Sequence, residues 1–169
     1  SHEWNLSSYN DASAWQPVRV ADYGTENFKG RESEPIAVIR TISSPEIFTT
    51  PKGELIVDAG ENIVGYPVIS MSGSAGQVVR LTHSEVLDHE GNFLMNILGQ
   101  HKNQCDVFIF ASKRSTTYKP KFSYHGFRYI KVEGLKADDI QHMEIRVIAT
   151  TPIASLPRKL DFITIPVSR

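Results

Sequence analysis

The stretch KPKFSYHGFRYIKVEGL, residues 119–135, crowds aromatic and imidazole rings into one short run. Such a run fits two interpretations: a surface on which sugars or bases stack, or a strand–kink–strand unit that fills the core of a β-sandwich. In a strand, alternate side chains share a face, so Phe122 lies with Tyr124. Phe127 lies with Tyr129 for the same reason. Because large aromatic side chains mostly serve cores, the sequence favours core packing over ligand stacking.

A glycine in the middle of this run predicts a bend. Gly126 separates two strand-like segments, KFSY and FRYIKVEG, and a glycine inside a strand pattern typically marks a bulge or kink. The predicted bend turns the rings inward and leaves Arg128, Lys131 and Glu133 to solvent or to a partner. The run is therefore interpreted as mainly architectural.

The rest of the chain consists of short β-rich runs separated by Gly, Pro, Asn or Asp, and helical periodicity is nearly absent. The best candidate for helical structure is one turn around LKADDI. Seven or more short strands at this spacing predict an all-β fold, an antiparallel β-sandwich or jelly roll. The further predicted strands are EPIAVIRTI (34–42), ELIVDAG (54–60), GYPVISMSG (65–73), QVVRLTHSEVL (77–87), DVFIF (106–110) and HMEIRVIA (142–149).

Composition and charge exclude several classes of protein. The 169 residues are 40% hydrophobic, which is enough apolar material for one globular core. A formal net charge of -1 without a basic block argues against a nucleic-acid binder that works through phosphate neutralisation. No apolar stretch approaches the roughly 20 residues that span a bilayer, so no membrane partner is expected. The single cysteine, Cys105, allows no internal disulfide.

The sequence predicts one β-sandwich domain at residues 34–150, a normal size for such a domain. Residues 1–33 are polar, which indicates a linker or the tail of a preceding module. Residues 151–169 begin with a Pro-containing break and are interpreted as a C-terminal tail.

The histidines give no strong signal for a metal centre. His83 and Glu85 lie two apart in a predicted strand, so both project from one sheet surface, but zinc sites use three or four ligands. His89, His101 and His125 are scattered without a telling spacing. The sequence therefore predicts no metal site and no cofactor, although loop oxygens leave calcium binding open. A buried hydrogen bond between His83 and Glu85, or a contact with a neighbouring domain, is favoured over a metal.

The acidic residues Glu85, Asp88 and Glu90 form a cluster that invites a catalytic interpretation. A glycosidase needs two carboxylates about 5 to 9.5 Å apart, and nothing in the sequence fixes the separation here. Turns routinely use acids to accept backbone N–H bonds, and the segment DHEGN has the composition of a turn. The turn interpretation is favoured, and no catalytic residue is predicted.

Three motifs occur in order along the chain. They have the forms D-x-G-x-N-x-x-G, H-x-E-x-L-D followed by G-N, and F-x-Y-H-G-F-R-Y. Their residues are Asp58, Gly60, Asn62, Gly65, His83, Glu85, Leu87, Asp88, Gly91, Asn92, Phe122 and 124–129. Over roughly residues 34–148, the chain resembles the β-sandwich module that precedes the catalytic domain in bacterial α-L-rhamnosidases of glycoside hydrolase family 78. The resemblance implies a concanavalin-like sandwich.

The resemblance also implies the function of a larger polypeptide. Members of the family hydrolyse terminal α-L-rhamnosyl groups by an inverting mechanism, with their acid and base in a helical (α/α)6 barrel. Residues 10–18 resemble the end of the lectin-like module that precedes the sandwich. Residues 155–169 do not resemble the opening of the barrel, and no carboxylate matches the family's catalytic positions. We therefore expect a non-catalytic fragment, truncated before the barrel and inactive alone, whose partner is the barrel of the same polypeptide.

The family motifs suggest which residues face that partner or a sugar: His83, Glu85, Asn92 and Arg128. The alternative is that local hydrogen bonds within the sandwich use these residues. A second hypothesis for the function is an autonomous carbohydrate-binding module that holds rhamnosyl sugars, and a third is self-association through apolar surface. The candidate sugar platforms are Trp15, Tyr66, Tyr118 and Tyr124.

Overall fold

The computed structural model divides the chain into two units, Ser1–Ser33 and Glu34–Arg169. In the first unit, the indole Nε1 of Trp15 donates a hydrogen bond of 3.3 Å to the hydroxyl of Tyr9. The predicted domain boundaries stay predictions, and the predicted tail at 151–169 lies outside the described residues. The structure describes residues 7–10, 15–22, 24, 26, 28–29, 34–96 and 104–150.

The second unit is built almost entirely from strands within its described residues. Its short 3-10 helix, Ala137–Asp139, lies in LKADDI, where the sequence predicts a turn. No helix in the described ranges is long and apolar enough to cross a membrane. The strands are β1 Ala37–Ile42, β2 Glu46–Thr49, β3 Leu55–Gly73, β4 Val78–Ser84, β5 Val86–Leu87, β6 Phe93–Leu94, β7 Cys105–Ile109, β8 Arg114–Tyr118, β9 His125–Glu133 and β10 Ile140–Ala149.

One strand, β3, takes part in two sets of pairings. Its first part pairs with β2 and β9, and its last part pairs with β10 and β8. The main path through the sheet runs β1-β10-β3-β9-β4-β7, and each of these pairings is antiparallel. The first and last strands are neighbours, with Ala37 opposite Ala149. The predicted antiparallel β-sandwich is confirmed.

The strands predicted at 54–60 and 65–73 are one strand of 19 residues, so the predicted break between them is wrong. The irregularity lies in the register instead. From Asp58 to Ile63, β3 advances five positions while its partner β9 advances two. A bulge of this kind bends a strand without ending it. Gly60 permits the bend because its φ of 81° lies in the left-handed region.

The hydrophobic core consists of residues from β3, β4, β9 and β10, together with Phe110, which directly follows β7. On β4, Val79 and Leu81 are buried while Val78 and Arg80 are exposed, as the predicted alternation requires. Removing this apolar surface from water is the dominant favourable term in folding. The buried members are Val57, Ala59, Ile63, Ile69, Met71, Val79, Leu81, Phe110, Phe127, Ile130, Val132, Met143, Ile145 and Val147.

The aromatic stretch at 119–135 lies only partly in this core. Phe127 is fully buried, as predicted, but Phe122 is 98% exposed and Tyr124 is 50% exposed, so the predicted burial of these two rings is wrong. The predicted strand KFSY is also wrong, because residues 119–124 connect β8 to β9. Pro120 in this connection has no N–H to give to a strand ladder.

The predicted kink at Gly126 is likewise wrong. Gly126 lies inside β9 and pairs in register with Val64 of β3. The bend lies across the ladder, in the bulge of β3. A Cβ atom placed on Gly126 would meet no heavy atom within 4 Å, so lack of space does not require a glycine there.

Gly65 marks a close approach of two backbones, because a Cβ there would lie 2.2 Å from the carbonyl oxygen of Arg146 on β10. We expect Gly65→Ala to lower the free energy of unfolding by about 1–3 kcal/mol, since packed backbone must move to accept the methyl group. The matched control, Gly126→Ala, should leave it nearly unchanged. Urea titration followed by circular dichroism measures both, and equal stability of the two variants would contradict the prediction.

Candidate functional site

The carboxylate of Asp58 holds Arg128 at the domain surface. Nε and Nη2 of Arg128 donate hydrogen bonds of 2.9 and 3.0 Å to the two carboxylate oxygens. Its guanidinium also lies over the ring of Tyr129, with Cζ 4.9 Å from the ring centroid. The hydrogen bond to Asp58 raises the pKa of Arg128. This two-point contact fixes the direction of an arginine whose side chain is 39% exposed.

Asp58 also connects Arg128 to the bulge in β3. Its Oδ1 accepts the backbone N–H of Gly60 at 2.7 Å. The motif D-x-G-x-N-x-x-G therefore has a structural explanation at three positions. Asp58 braces the bulge, Gly60 supplies the positive φ, and Gly65 lets two backbones approach.

His83 is a buried residue of β4. It lies on the core face with Val79 and Leu81, as the alternation predicts. Its ring stacks on that of His125 with the centroids 4.1 Å apart, and it meets Phe127 edge-on at 4.8 Å. Burial and then the charge on His125 lower the pKa of His83 to about 4, so its ring is neutral at pH 7.

Glu85 does not lie beside His83, so the prediction that both project from one sheet surface is wrong. β4 ends at Ser84, whose hydroxyl bonds to the carbonyl oxygen of Leu94 and lies 3.0 Å from Oδ1 of Asn96. The chain bends there into the hairpin of β5 and β6, and Glu85 is exposed at the bend. Its Oε2 accepts a hydrogen bond of 3.0 Å from Nδ2 of Asn96.

Asn92 is buried in the turn formed by DHEGN. Its Nδ2 lies 3.3 Å from both carboxylate oxygens of Asp88, and its Oδ1 accepts the backbone N–H of Lys52 at 3.0 Å. Oδ1 of Asp88 accepts the backbone N–H groups of Asn92 at 2.7 Å and Glu90 at 3.0 Å. These bonds, that of Asn92 first, lower the pKa of Asp88. The turn interpretation of Asp88 is confirmed.

Three polar side chains that are far apart in the sequence meet inside the domain. Donor atoms of His83, Asp106 and His125 lie within 4.8 Å of one another. Nε2 of His125 is 3.2 Å from Oδ1 of Asp106, which also accepts a hydrogen bond of 3.1 Å from the hydroxyl of Ser123. Burial alone would raise the pKa of Asp106. The hydrogen bond from His125 and the charge on His125 outweigh burial, so the pKa of Asp106 is lowered.

Sequence reasoning missed this cluster because sheet pairing, and not sequence spacing, creates it. His83 lies on β4, Asp106 on β7 and His125 on β9, and β4 pairs with both of the other strands. His125 has no telling spacing from His83 in the sequence, yet the two rings stack in the structure.

An open groove of about 680 Å³ lies beside the connection at 119–124, and we call it the aromatic groove. Phe122 stands almost fully exposed at this groove. Exposed apolar surface of this kind, mixed with polar residues, marks interaction sites. The lining includes Ile36, Val38, Tyr66, Lys119, Phe122 and Tyr124.

The four candidate sugar platforms fall in different places. Tyr66 and Tyr124 line the aromatic groove. Tyr118 packs beside Phe108 with the ring centroids 5.4 Å apart. Trp15 belongs to the first unit.

The four predicted site residues also occupy separate settings: the core, a bend, a turn and the face of β9. In the described part of the chain, no hydrogen bond joins any two of them, and each has a partner elsewhere within the second unit. That they face another domain or a sugar stays a prediction for His83, Glu85, Asn92 and Arg128.

Comparison with protein families places most of the chain in a known family. Residues 48–150 match the family described as the bacterial alpha-L-rhamnosidase concanavalin-like domain.

Individual relatives are much longer than the region they share with this chain. An α-L-rhamnosidase of Streptomyces avermitilis is 31% identical over 132 residues, which cover 78% of this chain and 13% of that protein. One from Formosa agariphila is 27% identical over 155 residues, which cover 89% of this chain and 16% of the relative. The crystal structure of native α-L-rhamnosidase from Aspergillus terreus superposes with a TM-score of 0.73 at 26% identity, covering 88% of this chain and 17% of that one.

The contact between Asp58 and Arg128 can be measured by a double-mutant cycle. The two changes are Asp58→Asn, which keeps an acceptor for Gly60, and Arg128→Gln. The double variant should lose less free energy of unfolding than the sum of the losses in the two single variants. We expect a coupling of about 0.5–1 kcal/mol, because a partly exposed ion pair is weakened by solvent even when it is bidentate. Urea titration of the four proteins measures the coupling, and strict additivity would contradict the contact.

The lowered pKa of Asp88 predicts a pH dependence of stability. Because the folded chain holds this proton less tightly than the unfolded chain, the contribution is present above the ordinary pKa of about 3.9 and is lost as the pH falls through the folded value. Wild type should exceed Asp88→Asn in stability at pH 7, and the difference should narrow by pH 3. Urea titrations at the two pH values test this, with Asp138→Asn as the control. A difference that stays constant would disprove it.

Proposed function

The chain belongs to the bacterial α-L-rhamnosidase concanavalin-like domain family, and from this premise we propose that it is a non-catalytic β-sandwich module that braces the catalytic domain of a multidomain α-L-rhamnosidase. In the proposed whole enzyme, terminal α-L-rhamnosyl groups are hydrolysed by the helical barrel of the same polypeptide. The module itself contributes a rigid surface and no reacting group.

The observation that carries this proposal is the share of each relative that the chain spans. The matched region is 13% of the Streptomyces avermitilis α-L-rhamnosidase and 16% of the Formosa agariphila one. An (α/α)6 barrel needs helices, whereas the matched region is a sandwich of strands. A catalytic role for the module would require a site of its own.

Three carboxylates of the described sandwich support a structural role. Asp58 binds Arg128 and Gly60, and Asp88 accepts the backbone N–H groups of its own turn. Asp106 is 8% exposed and bonded to Ser123. Glycoside hydrolysis requires a paired acid and base with access to the sugar, and these three acids are engaged in maintaining the fold.

The aromatic groove is the surface that best fits contact with the catalytic domain. Phe122 is 98% exposed, so its ring contributes no hydrophobic stabilisation to the sandwich itself. A partner that covers the ring gains the free energy of burying it. Lys119 and Lys121 precede Phe122 and also line the groove, and acidic residues of a partner can pair with their two positive charges. We therefore assign the face around Phe122 to the interdomain contact.

Carbohydrate binding is the second candidate function, and the same groove favours it. Tyr66, Phe122 and Tyr124 present rings in one open groove, and aromatic rings beside polar groups suit a sugar face. One variant can separate the two functions, because the interdomain role requires the longer polypeptide and sugar binding does not.

The test compares the isolated chain with the longer polypeptide that contains it. The isolated chain should release no rhamnose from an aryl rhamnoside, whereas the longer polypeptide should. Phe122→Ser should shorten the half-life of that activity on heating several-fold, because the apolar contact between the ring and the catalytic domain is lost. In the isolated chain the same change should alter the free energy of unfolding by less than about 0.5 kcal/mol, as for other exposed positions.

The matched control is Ile109→Ser on β7, which replaces an apolar side chain that is 59% exposed and outside the aromatic groove. It should leave the half-life unchanged. Rhamnose release by the isolated chain would refute the non-catalytic role. Saturable binding of L-rhamnose to the isolated chain that Phe122→Ser abolishes, with no change in the half-life of the longer polypeptide, would favour the carbohydrate-binding function instead.

A further inference from the structure

The buried polar atoms that lack a hydrogen-bond partner among the described residues can all act as lone-pair donors to a cation or as hydrogen-bond acceptors. They are Nε2 of His83, Oε1 of Gln104 and Oδ2 of Asp106. Buried polar groups are nearly always bonded, so each such atom calls for an explanation. The two oxygens are acceptors, and the nitrogen of His83 is one as well if its other ring nitrogen carries the proton.

The surroundings of His83 fix that proton on Nδ1. Nδ1 lies 3.1 Å from the backbone carbonyl oxygen of Gln104, an atom that can only accept. Nδ1 therefore donates, and Nε2 presents a lone pair inside a residue that is 0% exposed. A histidine that binds a metal ion almost always donates its other ring N–H to a carboxylate, a backbone carbonyl or water, and His83 is oriented in this way.

Asp106 offers the matching negative charge. Its Oδ1 is bonded to Ser123 and lies beside Nε2 of His125, while its Oδ2 is buried without a partner. Ser123 orients this carboxylate as Gln104 orients His83, so each has a bonded neighbour behind it. His125 is 12% exposed at its side chain, which provides an approach from solvent.

From this geometry we propose that His83, Asp106 and His125 form a binding site for one divalent transition-metal ion of the zinc type. Two imidazole nitrogens and a carboxylate are ligands that Zn²⁺ accepts, with water in the fourth position. Nε2 of His125, 3.2 Å from Oδ1 of Asp106, can bind the ion once the neutral ring carries its proton on Nδ1, a change of tautomer that releases no net proton.

Closing the site around an ion requires modest movement. The donor atoms lie within 4.8 Å of one another, whereas bonds of about 2.0–2.1 Å at tetrahedral angles place ligand atoms roughly 3.4 Å apart. The stacked rings of His83 and His125 are inclined by 25°, so His125, the more accessible of the two, must rotate to direct its lone pair at the ion. The bound ion would link three adjacent strands, β9, β4 and β7.

The experiment titrates chelator-treated protein with Zn²⁺ by calorimetry and with Co²⁺ by visible absorption. We expect one ion per chain, a rise in Tm with added Zn²⁺, and the absorption of tetrahedral Co²⁺. His125→Gln and Asp106→Asn, which keep the size of each side chain, should weaken Zn²⁺ binding about 10-fold or more. The matched controls, His89→Gln and His142→Gln, replace exposed histidines and should bind as wild type does.

Circular dichroism confirms that each variant is folded before its binding is compared, and His83 is left intact because its substitution would disturb the core. The proposal is overturned if no saturable binding occurs. It is equally overturned if His125→Gln and Asp106→Asn bind Zn²⁺ as tightly as wild type, since the ion would then lie elsewhere.

Discussion

The fold depends on a single strand that belongs to both sets of pairings. β3 meets β9 and β2 through its first part and β10 and β8 through its last part. It can do so because the bulge between Asp58 and Ile63 bends it, and because Gly65 lets the backbone of β10 approach. Three of the four motif residues in this strand, Asp58, Gly60 and Gly65, are therefore explained by backbone geometry.

Much of the fold could be predicted from the sequence because strands leave a local signature. Alternation identified the core face of β4, and turn chemistry identified the role of Asp88. The errors arose where the same signature has two physical outcomes. A glycine can end a strand or bend it, and the ladder decides which. An aromatic ring can fill a core or stand exposed, and Phe122 stands exposed because it lies in a connection rather than in a strand.

The candidate sites divide in the same way. The bonds between Asp88 and Asn92 lie within five consecutive residues and could be anticipated from the turn alone, whereas the bond from Lys52 to Asn92 joins residues 40 apart. The pairing of Asp58 with Arg128 joins residues 70 positions apart. The sequence showed that each belongs to a family motif but gave no sign that they pair. Nothing in the sequence signalled that His83, Asp106 and His125 meet, because strand register sets the distances within the cluster and the sequence does not record register.

The placement of β1 beside β10 has a consequence for how the module is used. With Ala37 opposite Ala149, the polypeptide enters and leaves the sandwich at one edge, with the two backbones roughly 5 Å apart. A domain whose ends lie close together can be inserted into another polypeptide without separating the segments on either side of the insertion point. The geometry of β1 and β10 is therefore compatible with insertion of the sandwich into different polypeptides. Changes in its other loops leave the distance between its two connecting segments unaltered.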